Sequence, residues 1–258
     1  MTIGPQELPR RSVRGGRAGT AAELEPLVDG PVHPPHGADA AVELAADPTA
    51  GSLRRVLAVV GATGTDDVAA TMRWAAAHDV GVVLLDPRPR PSSRPTPPGR
   101  PVLAISLARA DRVSVDLRAH TVRAGAGAAW AAVHDAAAGA ERETCGTARP
   151  RAPRALLRRA GTVAHGVGAL TKRGVTLVTG DGTVHRLGGR GGDEELWWAY
   201  RVRPELVGVV TEVEIDPWDV TVLARRPALD DAERERVDAV VRRHDPFGVL
   251  PRSVEESG

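Results

Sequence analysis

An α+β fold is what this 258-residue sequence predicts, and three observations predict it. Two pairs of short apolar runs are joined by tight-turn residues, the mark of antiparallel hairpins. Between and after them lie stretches with apolar residues at helical spacing. No internal repeat is present, and an opening strand–helix–strand pattern gives way to hairpins, so the chain mixes helices with antiparallel strands.

Residues 1 to about 50 are rich in Gly, Pro, Arg and Ala with little periodicity, and this N-terminal segment is expected to be poorly ordered. Order is expected to begin at "LRRVLAVV". Thr65 then reads as a helix N-cap, and Val68, Met72 and Ala75 form one apolar face of the helix that follows. Asp66 and Asp67 in its first turn suit the positive end of the helix dipole. "VGVVLL" is branched and continuously apolar, as a strand covered on both faces should be. A proline-rich loop, 87–100, follows it.

"VLAISL" and "RVSVDL" read as strands, "RAH" as a turn, and "TVRAGAG" as the returning partner. "AAWAAVHDAAAG" is a helix that Gly139 is expected to end. "GVTLV", "TGDG" and "TVHRL" make the clearest hairpin. The acidic "GGDEELWWAY" opens a short helix, and "LVGVVTEVEI" is a strong strand. From Pro217 the sequence predicts a strand "VTVLA" and a solvated, charged helix "DDAERERVDAVVRRH". The expected division is 1–50, 51–216, and a short C-terminal strand–helix piece with tail, 217–258.

The bulk numbers exclude several classes. Thirty-four basic against 33 acidic residues leave a net charge of +1, so neither nucleic acid nor a membrane surface is the expected partner. A single cysteine, Cys145, excludes an intramolecular disulfide and a cysteine-rich zinc site. No stretch approaches the length of a membrane span. Arg10 and Arg11 form a twin-arginine pair, but no apolar region follows, and the chain is expected to be cytoplasmic.

"VLAVVGATGTDDVAATMRWAAAHDVGVVLLD" has the outline of a nucleotide-binding βαβ unit, with glycines before a helix and Asp86 after the next strand. The third glycine is missing, however, and Asp66 and Asp67 stand where phosphates would lie. Carboxylates facing a diphosphate repel it. An NAD(P)-binding Rossmann-type domain is therefore the weaker reading.

Several segments together resemble one family. "TDDVAATMRWAAAHDVGVVLL", "AISLARADRVSVDLRAHTVRAGAGAAWAAVHDAA", "HGVGALTKRGV", "GDGTVHRL", "DEELWWAYR" and "GVVTEVEIDP" follow the order of the FAD-binding domain of the p-cresol methylhydroxylase and vanillyl-alcohol oxidase superfamily. The likeness is nearest to its berberine-bridge-enzyme and nicotine-oxidase-like branch, in a degenerate form. "RRHDPFGVLP" resembles the closing segment of related flavoenzymes. The resemblance implies a two-lobed α+β domain with mixed and antiparallel sheets, binding FAD between the lobes. It also implies hydride transfer from a small organic substrate to the flavin.

In the family, the strand matching "VGVVLL" enters an Arg-Gly-Gly-Gly-His-Ser-like loop whose amides cradle the pyrophosphate. Here the stretch reads "DPRPRPSS". Pro87, Pro89 and Pro91 have no N–H to give. Arg88, Arg90 and Ser92 remain as side chains that hold phosphate oxygens, or the stretch is a solvated polyproline connector. Cys145 lies where bicovalent members carry a second flavin-linking cysteine, and it reads equally as a small apolar residue. Gly166 and Gly168 match a glycine-rich turn near the flavin, where His165 replaces a family glycine. Gly208, Val209, Val210 and Thr211 match the segment whose main chain lines the adenine and ribose side, or form an ordinary buried strand. Gly125 and Gly127 admit a close cofactor or simply end a strand. His78, His120, His134 and His185 show no metal-ligand spacing and are expected at the surface.

Only 42 residues follow Asp216, where the family has a second sheet covering the flavin ring and supplying a base. The resemblance thus implies an FAD-linked oxidoreductase whose lid comes from a homo- or hetero-oligomeric partner. The alternative is a non-catalytic remnant, with weak or no FAD binding, kept as an interaction scaffold.

Overall fold

The computed structural model describes residues 16–35, 37–40, 55–85, 100–145, 163, 172–188, 192–216 and 229–250. Two sheets organise them. The first is built on β2 (Val56–Gly61), β3 (Gly81–Leu85) and β4 (Val102–Ser106), all parallel, in the order β1-β2-β4-β3. The short β1 (Val32–His33) adds antiparallel to β2. Both faces of β2 and β4 are covered, which is why their sequences are continuously apolar. One face packs with Leu24, Val68 and Met72, the other with Ala40, Leu85 and Val102.

Helix α2 (Thr65–Ala77) makes the crossover from β2 to β3. Val68, Met72 and Ala75 are fully buried, as their spacing predicts. Burying Val68 and Met72 alone contributes about 3–6 kcal/mol, so docking, rather than end-capping, holds this helix. Its N-cap is Gly64 without a side-chain cap, and not Thr65. The Thr65 hydroxyl is drawn instead to a partner on the second sheet, described below.

The second sheet is antiparallel throughout, in the order β5-β6-β9-β7-β8. It comprises β5 (Val113–Asp116), β6 (Thr121–Gly125), β7 (Lys172–Val178), β8 (Val184–Leu187) and β9 (Val209–Ile215). Both predicted hairpins are present, and His120 takes the left-handed turn position at φ 51°. Strand β9 alternates buried and half-buried residues along its whole length. Its inner face packs Val213 and Ile215 against Trp130 and Val133 of α3 (Trp130–Cys145).

Gly139 does not end α3, which runs on to Cys145. The buried series Trp130, Val133, Ala137 and Glu141 continues past the glycine at helical spacing, and Gly139 itself has open space around it. Helix α4 (Glu194–Val202) starts on Asp193, whose carboxylate accepts the Leu196 N–H at 2.9 Å. The short α5 (Pro204–Val207) leads into β9.

Two expectations change. The stretch before residue 51 contributes α1 (Gly16–Leu24), β1 and the fully buried Leu24, because its few apolar residues find the first sheet's core. The charged C-terminal helix α6 (Asp231–His244) carries a capping box between Asp230 and Glu233, and it is only partly solvated. Val237, Val240, Val241 and His244 are buried against α4 and its neighbours. The strand expected at "VTVLA" lies outside the described residues.

Candidate functional site

Parallel strands gather their carboxyl ends on one edge, where α/β layers usually bind ligands. Here β2, β4 and β3 end at Gly61, Ser106 and Leu85. The opening of β9 faces this edge from the second sheet. The Thr65 and Thr211 hydroxyls meet at 2.8 Å. Thr211 also reaches the Thr176 carbonyl at 3.3 Å, and its own carbonyl accepts the Ala126 N–H at 2.9 Å. Below that contact Val178, Val209 and Ala126 share a core with Ala58, Val68 and Met72. The two sheets therefore meet in a dry seam, with open space beside Gly64 at its mouth.

The electrostatic centre of this edge is Asp67. Its side chain is 3% exposed and accepts N–H groups from Asp29 (2.7 Å), Gly30 (3.2 Å) and Thr63 (2.8 Å), plus the Thr63 hydroxyl at 2.8 Å. A helix N-terminus and neighbouring loop amides are the arrangement that binds phosphate elsewhere. In this chain the loop amides of Asp29, Gly30 and Thr63 are taken by the protein's own carboxylate, which stands in the first turn of α2. That removes the Rossmann-type placement of a pyrophosphate at α2, and the first sheet is only one of two layers.

Packing accounts for Gly125 and Gly127. A side chain on Gly125 would overlap the Ala110 carbonyl oxygen, and one on Gly127 would overlap that of Leu107. Both are bare so that the β4–β5 connection can cross them, and no cofactor space opens there. Gly208 sits 2.6 Å, at its missing Cβ, from Leu177 Cδ1 and from the Val178 carbonyl oxygen. It permits the close approach of β9 to β7.

Of the residues singled out in the sequence, Gly208, Val209, Val210 and Thr211 stand together at the start of β9, with Val209 and Val210 in register with Val178 and Leu177. Cys145 is the last residue of α3, and its side chain is outside the described ones. Arg88, Arg90, Ser92, His165, Gly166 and Gly168 lie outside the described residues. Sequence reasoning missed the Thr65–Thr211 contact, since two threonines 146 positions apart carry no local signal. It also placed His185 at the surface, whereas that ring packs edge-on against His244 at 5.1 Å.

Tested against a flavin dinucleotide, the described residues fit as a wall, formed by the Gly64 turn and the opening of β9. The loop amides of Asp29, Gly30 and Thr63 beside that wall are already taken by the Asp67 carboxylate. A cavity of about 230 Å³ lies toward the other end of β9, between β5–β6 residues and Glu214, and is crossed by the 3.1 Å Arg123–Glu214 ion pair. Among the described residues, only Leu27 and Val184 are large apolar side chains that are exposed, so no apolar face there requires a partner. Among them, too, no helix is long and apolar enough to cross a membrane, and no cluster of His, Cys, Asp or Glu is arranged to hold a metal.

A mixed sheet and an antiparallel one, in contact through Thr65 and Thr211, define the class: a two-sheet α+β fold. It is shared with 6-hydroxy-D-nicotine oxidase from Arthrobacter nicotinovorans (20% identity, TM-score 0.51, 77% of this chain and 43% of that one). Berberine bridge enzyme from Eschscholzia californica is similar (14%, 0.52, 80% and 43%). So is xylooligosaccharide oxidase from Myceliophthora thermophila C1 (14%, 0.51, 78% and 42%). The chain spans less than half the length of each. No curated protein matches its sequence. Residues 56–188, just over half of the chain, match the FAD binding domain, and the chain belongs to that family. FAD is accordingly the cofactor of its fold, as the resemblance implied.

Proposed function

We propose that this chain binds FAD along the edge where β2, β4 and β3 end, opposite β9, and forms the flavin-binding half of an FAD-linked oxidoreductase. The observation that carries this reading is the match of residues 56–188 to the FAD binding domain, on a fold shared with two oxidases and berberine bridge enzyme. Bound FAD supplies the hydride acceptor. The chain's residues supply binding and orientation. Arg88 and Arg90 neutralise the diphosphate through their guanidinium forks, and the Ser92 hydroxyl adds a donor. The main chain of Gly208 to Thr211 flanks the adenine and ribose, and Gly166 and Gly168 allow close approach of the ring. Cys145 is the one thiol available for covalent attachment. Covering the ring, excluding water and contributing the base fall to structure outside the described residues, in this protein or in a partner, and the enzyme works in the cytoplasm on a small organic substrate.

Purified protein is expected to carry a flavin band near ~450 nm, or to gain thermal stability from FAD at about 100 μM. Replacing Arg88 and Arg90 together by alanine is expected to weaken FAD by about 10- to 100-fold, the worth of one charge-assisted contact. A colourless protein whose melting FAD leaves unchanged favours the second reading, a scaffold without catalysis. The three prolines at 87, 89 and 91 and the capture of the Gly30 and Thr63 amides by Asp67, beside the start of α2, support that alternative.

A further inference from the structure

We propose that His185 and His244 form an acid-released latch that fastens helix α6 and the strap after it, residues 245–250, to the β7–β8 hairpin. His185 lies on β8 and His244 is the last residue of α6. Their rings meet edge to face, with centroids 5.1 Å apart. The Nε2 atom of each is buried and has no hydrogen-bond partner. The nearest carboxylate oxygen to His244 Nε2 is Asp193 Oδ2 at 3.6 Å, too far to hold a proton through a hydrogen bond.

The strap is tied to the same place. The hairpin's Asp181 N–H donates to the His244 carbonyl at 3.2 Å. Asp245, 1% exposed, packs on Gly180, and its carboxylate accepts the Val249 and Leu250 N–H groups at 2.7 and 3.1 Å. Val249 and Leu250 enter the first sheet's core, and the Val249 carbonyl accepts the Val82 N–H at 2.8 Å. Arg100 secures the strap through the Phe247 and Gly248 carbonyls at 3.1 and 2.8 Å. One pair of imidazoles thus sits where helix, hairpin and strap converge.

Neutral rings suit this site and charged rings do not. Burial pushes both histidines below their ordinary 6.5. For His185 the carboxylates of Asp181 and Asp193 pull back only in part. For His244 the proximity of His185 lowers it further, Asp193 and Asp181 raise it, and Arg243 lowers it again. These carboxylates have other duties: Asp181 accepts from Thr179 and Thr183, and Asp193 caps α4. Glu195 on α4 is engaged by Arg243 at 2.9 Å. A depressed folded-state value means that the latch is fully present above pH 6.5 and is lost as pH falls through the depressed values, because the released form binds protons more tightly.

Amide hydrogen exchange corrected for intrinsic rates tests this in the full chain. Protection of residues 237–250 is expected to fall several-fold between pH 7.5 and 5.5. Protection of β2 and β4 is expected to hold. The His185→Gln/His244→Gln variant should lose that pH dependence. If that variant does not fold, the imidazole titrations of the wild-type protein decide by NMR. Values at or above 6.5, or equal protection of 237–250 at both pH values, overturn the latch.

Discussion

Replacing Asp67 by alanine is expected to destabilise the protein by about 3–5 kcal/mol, the cost of removing the charged partner from a buried hydrogen-bonded site. Three main-chain donors converge on this carboxylate, from Asp29, Gly30 and Thr63. Two of them belong to the N-terminal arm, so its contact with the β2–α2 turn is severed as well. Gly30 cannot compensate by moving closer, because it already lies against the Gly61 carbonyl. Asp67→Asn keeps the shape and one acceptor oxygen, and should cost roughly 1–2 kcal/mol. Urea denaturation gives both numbers. In the alanine variant the freed amides also become a site for an external anion. Inorganic phosphate is therefore expected to restore part of the stability in Asp67→Ala and none in the wild type. A loss below about 1 kcal/mol for the alanine variant would mean that water replaces the carboxylate and that the residue is no staple.

Much of the architecture was written in local patterns. The β7–β8 hairpin was legible because "TGDG" allows only a tight reversal between two branched runs, and Gly182 does take a positive φ of 78°. Helix α4 was legible from Asp193 ahead of two glutamates. The N-terminal arm was not, because α1 and β1 owe their order to contacts with β2 and Asp67 rather than to periodicity of their own. The end of α3 was misplaced for a similar reason. A glycine within a helix costs under about 1 kcal/mol, and the buried face that continues to Glu141 outweighs it.

The candidate site divides the same way. The stretch from Gly208 to Thr211 is marked by a family segment, and it leads into the strand that pairs with both β6 and β7 in the second sheet. What that strand touches was hidden, since Thr65 and Thr211 meet only after both sheets exist. The carboxylates in "GTDD" were read as hostile to a phosphate. Their deeper role, with Asp67 itself standing as the anion, needs the amides of residues 29 and 30 to be brought 37 positions along the chain. His185 and His244 likewise carry no shared motif, and it is the docking of α6 on β8 that pairs them.

A methyl group at residue 127 tests whether the seam between the sheets is as close as its glycines indicate. Gly127→Ala is expected to cost about 3 kcal/mol or more, because overpacking against main chain cannot be relieved by a rotamer change. The new Cβ would overlap the Leu107 carbonyl oxygen and lie 3.1 Å from the carbonyl carbon and oxygen of Ala108. Relief requires the β4–β5 connection to move away. That movement strains the 2.9 Å bond from the Gly127 N–H to the Ala110 carbonyl and the neighbouring one from Gly125 to Arg112. Gly139→Ala supplies the contrast, since nothing lies within 4 Å of an added Cβ there and the residue is inside α3. That change should raise stability by about 0.5–1 kcal/mol through helix propensity. Chemical denaturation of the two variants side by side separates a steric cost from a generic one. If both glycines tolerate alanine equally, the crossing at 107–110 is loose enough to part, and the space beneath it becomes available to a ligand after all.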